Sequence, residues 1–79
     1  MEPARSLVWN IEAKAYSLIR ARIPDFNGMV SLHSTECFEA GSTRHFLRIE
    51  FRGFVAYEDI DVSDPKLSDE TWGKLLVLA

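Results

Sequence analysis

Three groupings of side chains in this chain have the residue types that chemistry requires. Cys37 stands near His33 and His45, a thiol and imidazole bases, and residues i and i+4 of an extended strand share a face. No flanking signature accompanies the set, and the default for a lone cysteine is a buried, inert thiol. Zinc is not served either, because one cysteine and two histidines fall short of four Cys/His ligands. Asp59, Asp61, Ser63 and Glu70 match positions 1, 3, 5 and 12 of an EF-hand calcium loop. Position 6 of that loop needs glycine for its sharp turn, and here it is Asp64 followed by Pro65. The segment before it also reads as a strand, where an EF-hand needs a helix. The four glycines, Gly28, Gly41, Gly53 and Gly73, have no phosphate-cradling spacing. The expectation is a non-enzymatic chain with no metal and no cofactor.

What remains for function is charge and aromatic surface. The net charge of −3 is unevenly placed: residues 1–24 balance at +2, residues 25–53 at −1 and residues 54–79 at −4. Glu58, Asp59, Asp61, Asp64, Asp69 and Glu70 therefore form a candidate acidic interface that repels phosphate and suits a basic partner surface. Trp9, Tyr16 and Arg20 form a second candidate, an aromatic patch on one flank of a helix, of residue types enriched at binding hot spots. The bland alternative for the acids is a solvated face, and for the aromatics it is core filling.

These residues need a scaffold, and the sequence punctuates one clearly. The stretch His45–Phe54 alternates Leu47, Ile49 and Phe51 with Arg48, Glu50 and Arg52, the period of a strand with one wet face, and predicts a central strand. Pro3 suits a first helical turn, and residues 4–23 follow a helical period ended by Pro24. Leu7, Val8, Ile11, Ala15, Leu18 and Ile19 fall within about 120° of one another at 100° per residue and predict the buried stripe. Asp25-Phe26-Asn27-Gly28 reads as a turn.

A strand over 29–38 with imperfect alternation predicts an edge, a bend or a bulge. Residues 39–43 read as a hairpin loop, and Arg52-Gly53 as a tight connection or bulge into a third strand over 54–62. There the apolar parity moves from Val55 and Tyr57 to Ile60 and Val62, which predicts a bulge near Glu58-Asp59. Ser68 is the expected N-cap of a last helix, with Asp69 and Glu70 in its first turn and Trp72, Leu75, Leu76 and Ala79 on its apolar face. The predicted fold is α+β, one domain over 1–79, an α–β–β–β–α order with a three-stranded antiparallel meander packed against helices. An alternative leaves the first strand off the sheet. The predicted core joins Leu47, Ile49 and Phe51 to Ile11, Leu18, Trp72 and Leu76.

Size limits function as well. A chain of 79 residues buries only about 60 % of its unfolded surface, too little for a deep substrate cleft beside a core. With 47 % apolar and 27 % charged residues it has the composition of a folded domain and not of a disordered chain. No basic-led apolar leader and no run of about 18 apolar residues occurs, so the expectation is a cytoplasmic protein with no membrane partner.

In element order the chain resembles double-stranded RNA-binding domains. Those carry a basic cluster at the start of the last helix, where this chain has Asp69 and Glu70 with only Lys74 nearby, so direct nucleic-acid binding is not expected. In size, uneven acidic charge and lack of catalytic motif the whole chain resembles the small anti-CRISPR proteins of phages. That resemblance implies an inhibitor that binds a CRISPR effector and blocks its DNA-binding surface, with the acidic residues meeting Lys and Arg that otherwise contact phosphates. The alternatives are an accessory or antitoxin-like interaction domain, or a small enzyme subunit built on Cys37 and a histidine.

Overall fold

The alternating run expected at 45–54 forms, from His45 to Phe51, the middle strand of a three-stranded antiparallel sheet, which begins earlier, at Ser42, while Arg52 and Gly53 form a turn and Phe54 opens the next strand. In the computed structural model the elements follow as α1 (Pro3–Arg22), β1 (Met29–Cys37), β2 (Ser42–Phe51), β3 (Phe54–Asp59) and α2 (Asp69–Leu78). The structure describes the backbone of residues 3–37, 41–61 and 63–79, and their side chains except at 3–8, 36, 37 and 42. The sheet order is β1-β2-β3, so the fold is the expected α+β meander. β1 pairs with β2 without a break from Met29↔Glu50 to Cys37↔Ser42, which rules out the alternative with the first strand off the sheet. β1 is an edge strand, as its weak alternation predicts. Of the hairpin loop expected at 39–43, Ser42 and Thr43 already belong to β2, and residues 39 and 40 lie outside the described residues, as do Phe38, Val62 and the side chains of Leu7 and Val8.

Arg52 and Gly53 join β2 to β3 as a two-residue turn, with φ of 49° and 85°. Positive φ at both central positions is the geometry that suits the twist of a tight hairpin, and it fixes Phe51 opposite Phe54. Register then decides the faces. Phe54, Ala56 and Glu58 join Leu47, Ile49 and Phe51 on the covered face, while Val55 and Tyr57 go to the other side. This corrects the expected parity of the third strand: Val55 and Tyr57 are exposed, the pairing is regular through Asp59, and the strand ends there without a bulge.

The core lies between that face and the helices. Ile11, Ala15 and Ile19 recur every four residues along α1, Ile23 continues the spacing just past its end, and together they meet Phe26, Leu47, Ile49, Phe51, Ala56, Leu67 and Leu75. Leu18, expected inside, is 40 % exposed. The buried stripe of α1 is turned by roughly 40° toward Glu12 and Tyr16, at 100° per residue. The Glu12 carboxylate accepts the backbone N–H of Leu32 at 2.7 Å, and the Tyr16 ring meets Phe26 edge-on at 5.3 Å. Those two contacts hold the helix in its rotated setting. Phe26, read as a turn residue, packs instead on Phe51 with ring centroids 4.9 Å apart. Gly28 permits this, because a Cβ there would overlap the carbonyl oxygen of Glu50 and crowd the Phe26 ring.

Ser68 caps α2 as expected, its hydroxyl accepting the Thr71 N–H at 3.3 Å. The buried face of α2 is Thr71 and Leu75, with Leu78 and Trp72 half-buried against the core. Leu76, expected inside, is 42 % exposed, and Ala79 is exposed too. The helix is turned so that Thr71 reaches Ser68 and Glu58. Trp72 lies under the Arg22 guanidinium at 4.2 Å from its ring centre, a cation–π contact that joins the two helices. No helix among the described residues is long and apolar enough to cross a membrane.

Candidate interaction surface

Both helices pack on one face of the sheet, and among the described residues nothing covers the opposite face. Strand alternation brings His33 from β1, Arg44, Phe46, Arg48 and Glu50 from β2, and Val55, Tyr57 and Asp59 from β3 to that face. Phe46 stands at its centre. Its ring stacks on His33, directly opposite in register, with centroids 5.3 Å apart and 16° between planes. On the other side it meets Tyr57 on the diagonal at 6.0 Å. Three rings from three strands thus form a row across the sheet, and Tyr57 is 64 % exposed.

The charges on this face are matched in place. Arg44 donates to Asp59 at 2.7 Å, and Arg48 donates to Glu50 at 3.0 Å. Hydrogen bonds to the Tyr57 hydroxyl first and to Glu50 second hold the Arg48 guanidinium above the ordinary arginine value. Exposed pairs of this kind contribute little stability, and their effect here is on surface character. Two guanidinium groups are neutralised by two carboxylates around an aromatic centre. Such a face offers flat apolar area with fixed hydrogen-bonding groups and gathers no net positive charge for phosphate.

The six acids expected to act as one interface are divided by the fold. Glu58 lies on the covered face, where its carboxylate accepts both the N–H and the hydroxyl of Ser68 at 2.8 Å each. Burial pushes the Glu58 pKa up, but hydrogen bonds from Thr71 and from the Ser68 hydroxyl and N–H together bring it below the ordinary value. Asp59, the next residue, points to the opposite face and pairs with Arg44. Asp61 accepts the Ser63 hydroxyl at 2.7 Å and its N–H at 3.0 Å, and these bonds lower its pKa in that order. Asp64 pairs with Lys66 at 3.3 Å. Asp69 and Glu70 are exposed in the first turn of α2 and make no ion pair among the described residues.

The aromatic alternative is divided as well. Trp9 is 69 % exposed, while the half-buried Tyr16 has its ring against Phe26 and its hydroxyl donating to the Phe26 carbonyl at 3.4 Å. Arg20 lies 6.0 Å from the Tyr16 ring centre and donates to the Pro24 carbonyl at 3.2 Å, closing the end of α1. Tyr16 and Arg20 thus brace the turn after α1, and Trp9 stands apart from them in the solvent.

The catalytic groupings also separate. His33 faces the open side, 3.1 Å from the Ser31 hydroxyl, whereas His45 pairs with Ser34 at 2.9 Å on the covered side. The two imidazoles therefore project to opposite faces, and the Cys37 side chain lies outside those described. Of the calcium-loop residues, Asp59 ends a strand and is held by Arg44, Asp61 and Ser63 bond to each other, and Glu70 is on α2. Among the described residues no three His, Cys, Asp or Glu side chains converge as a metal site.

Sequence reasoning passed over Phe46 and Arg48 as site residues. The signal was there: Phe46 has the parity of Arg48 and Glu50, which the alternation already assigns to the wet face. No family model, curated protein or solved structure matches the chain.

Proposed function

We propose that this chain is a non-enzymatic protein-binding domain that inhibits its partner by occupying it, with the uncovered sheet face as its main recognition surface. The observation that carries this reading is the ring row His33–Phe46–Tyr57, a half-buried Phe46 between exposed His33 and Tyr57, held in register by three strands and framed by arginines already paired with carboxylates. Rigid aromatic and arginine groups on a flat, pre-ordered surface are what protein interfaces use as anchors. The same pairing makes the face a poor collector of phosphate.

The partner we propose is a protein with a basic, nucleic-acid-binding surface, a CRISPR effector complex being the case suggested by the chain's size and acidic C-terminal third. Asp61, Asp69 and Glu70 would meet basic groups at the rim and speed association, and the ring row would slow dissociation. The test is whether the purified protein prevents a CRISPR effector complex from retaining target DNA. Tyr57→Ala with Phe46→Ala should abolish inhibition through faster dissociation, and Asp61→Lys with Asp69→Lys should slow association, more at low salt than at high. Inhibition unaffected by the ring substitutions, or retardation of bare duplex DNA by the protein alone, overturns the reading.

A further inference from the structure

The two edges of the sheet are finished differently. Antiparallel pairing turns the backbone groups of alternate residues outward, and on β1 these include Leu32, whose N–H is taken by the Glu12 carboxylate. That bond blunts the β1 edge. On β3 the two-residue turn makes Phe51 and Phe54 a mutually bonded pair, and the Ile60 N–H reaches the His45 carbonyl at 3.1 Å in the same phase. Phe54, Ala56 and Glu58 therefore face β2 with their backbone groups, and Val55, Tyr57 and Asp59 present theirs away from the sheet. β3 has no proline and no bulge, and among the described residues no strand lies beyond it.

α2 runs antiparallel to β3 beside this edge, Ser68 near Glu58 and Leu78 near Arg52 and Phe54. Between them is a groove of about 240 Å³, floored by Phe54 to Glu58 and walled by Ser68, Glu70, Thr71 and Lys74. It continues along the helix into a depression lined by Phe54, Gly73, Val77 and Leu78. Gly73 keeps that depression open, since nothing lies within 4 Å of where its Cβ would be. Val77, at its rim, is 84 % exposed.

We infer that the β3 edge and the α2 groove together form a binding site for an extended peptide segment of a partner protein, which adds as a fourth strand. The occupant follows from the edge itself. A row of alternating N–H and C=O groups is matched by an extended backbone, whose alternate side chains then point into the groove. The groove is apolar at Phe54, Val77 and Leu78 and carries Glu58, Asp69 and Glu70 against the single cation Lys74, an acidic balance, so the peptide it fits carries an apolar side chain flanked by lysine or arginine. This site uses the backbone edge of β3 and the side of α2, and meets the ring row only at Tyr57, whose backbone belongs to the edge and whose ring belongs to the open face.

The experiment pans a phage-displayed library of random twelve-residue peptides against the protein, then titrates the enriched peptides, made synthetically, into labelled protein. Enriched sequences should share an apolar residue beside a basic one. Their binding should slow hydrogen exchange at the Val55, Tyr57 and Asp59 amides at least tenfold and leave the Leu32 amide unchanged. Gly73→Leu fills the groove without strain and raises helix propensity, so it should weaken binding at least tenfold while the melting temperature holds or rises. Enrichment no better than on Gly73→Leu, or protection confined to the amides of β1 or β2, overturns the inference. A concentration-dependent dimer abolished by Gly73→Leu would assign the edge to a second copy of the chain, and would overturn it equally.

Discussion

The Glu58 carboxylate accepts two hydrogen bonds from Ser68, from its N–H and from its hydroxyl, both at 2.8 Å. One half-buried acid of β3 thereby fixes the residue that caps α2, whose hydroxyl in turn accepts the Thr71 N–H. Sheet and helix are registered by a chain of hydrogen bonds through a side chain that the sequence presents as one more member of an acidic run.

Removing the Glu58 charge should loosen this joint. Glu58→Gln keeps the shape but weakens charge-assisted bonds, and should cost about 1 kcal/mol in denaturant unfolding, a modest value because the site is partly open to solvent.

The same group sets a pH dependence. Its pKa in the folded protein is lowered, so protonation favours the unfolded chain. Its stabilisation is present above the unfolded carboxyl value near about 4.3 and is lost as pH falls through the folded value. The melting temperature should drop below about pH 4.5, and the drop should be shallower in Glu58→Gln, as followed by circular dichroism across pH 3–6.

Gly28→Ala should be among the most damaging single-methyl additions in the chain. The new carbon would overlap the Glu50 carbonyl, fixed in the middle strand, and press the Phe26 ring, held in the core. A loss of about 1–3 kcal/mol is expected from this overpacking. Gly73→Ala, which meets nothing, should instead gain up to about 1 kcal/mol from helix propensity. Denaturant midpoints of the two variants check the contrast.

Ile49→Ala should cost about 2–5 kcal/mol, because Ile49 is fully buried at the centre of the middle strand. A loss under about 0.5 kcal/mol by denaturant unfolding would contradict the assignment of faces in β2.

The elements were legible wherever local chemistry dictated them. The alternation around Ile49, the stop at Pro24, the cap at Ser68 and the Arg52-Gly53 turn each act through their own neighbours. Facing was less legible, because it depends on distant partners. Leu18 and Leu76 are apolar but exposed, since α1 rotates to bring Glu12 to Leu32 and α2 rotates to bring Thr71 to Ser68 and Glu58. Polar residues chose those rotations, and a hydrophobic wheel gives polar residues no vote. Phe26 was hidden by its turn-forming neighbours, and the β3 parity by pairing Val55 with Tyr57 as the apolar set when Phe54, Ala56 and Ile60 share the other parity and face the core. The acidic run failed as a single surface for a simpler reason: Glu58 and Asp59 are consecutive on a strand and must point opposite ways.

The meander also orders events in time. Each strand pairs with its neighbour in sequence, so both halves of the sheet close over short stretches of chain, while Arg22 meets Trp72 only when distant segments converge. Loop closure favours the local contacts first, and topologies rich in them cross their barriers sooner. Refolding should therefore begin at the β2–β3 hairpin, with Phe51 and Ala56 native-like in the transition state and Trp72 joining late. The β2 edge of that hairpin would stand open until β1 pairs with it, and a nascent chain of this sequence would be most vulnerable to mispairing in that interval.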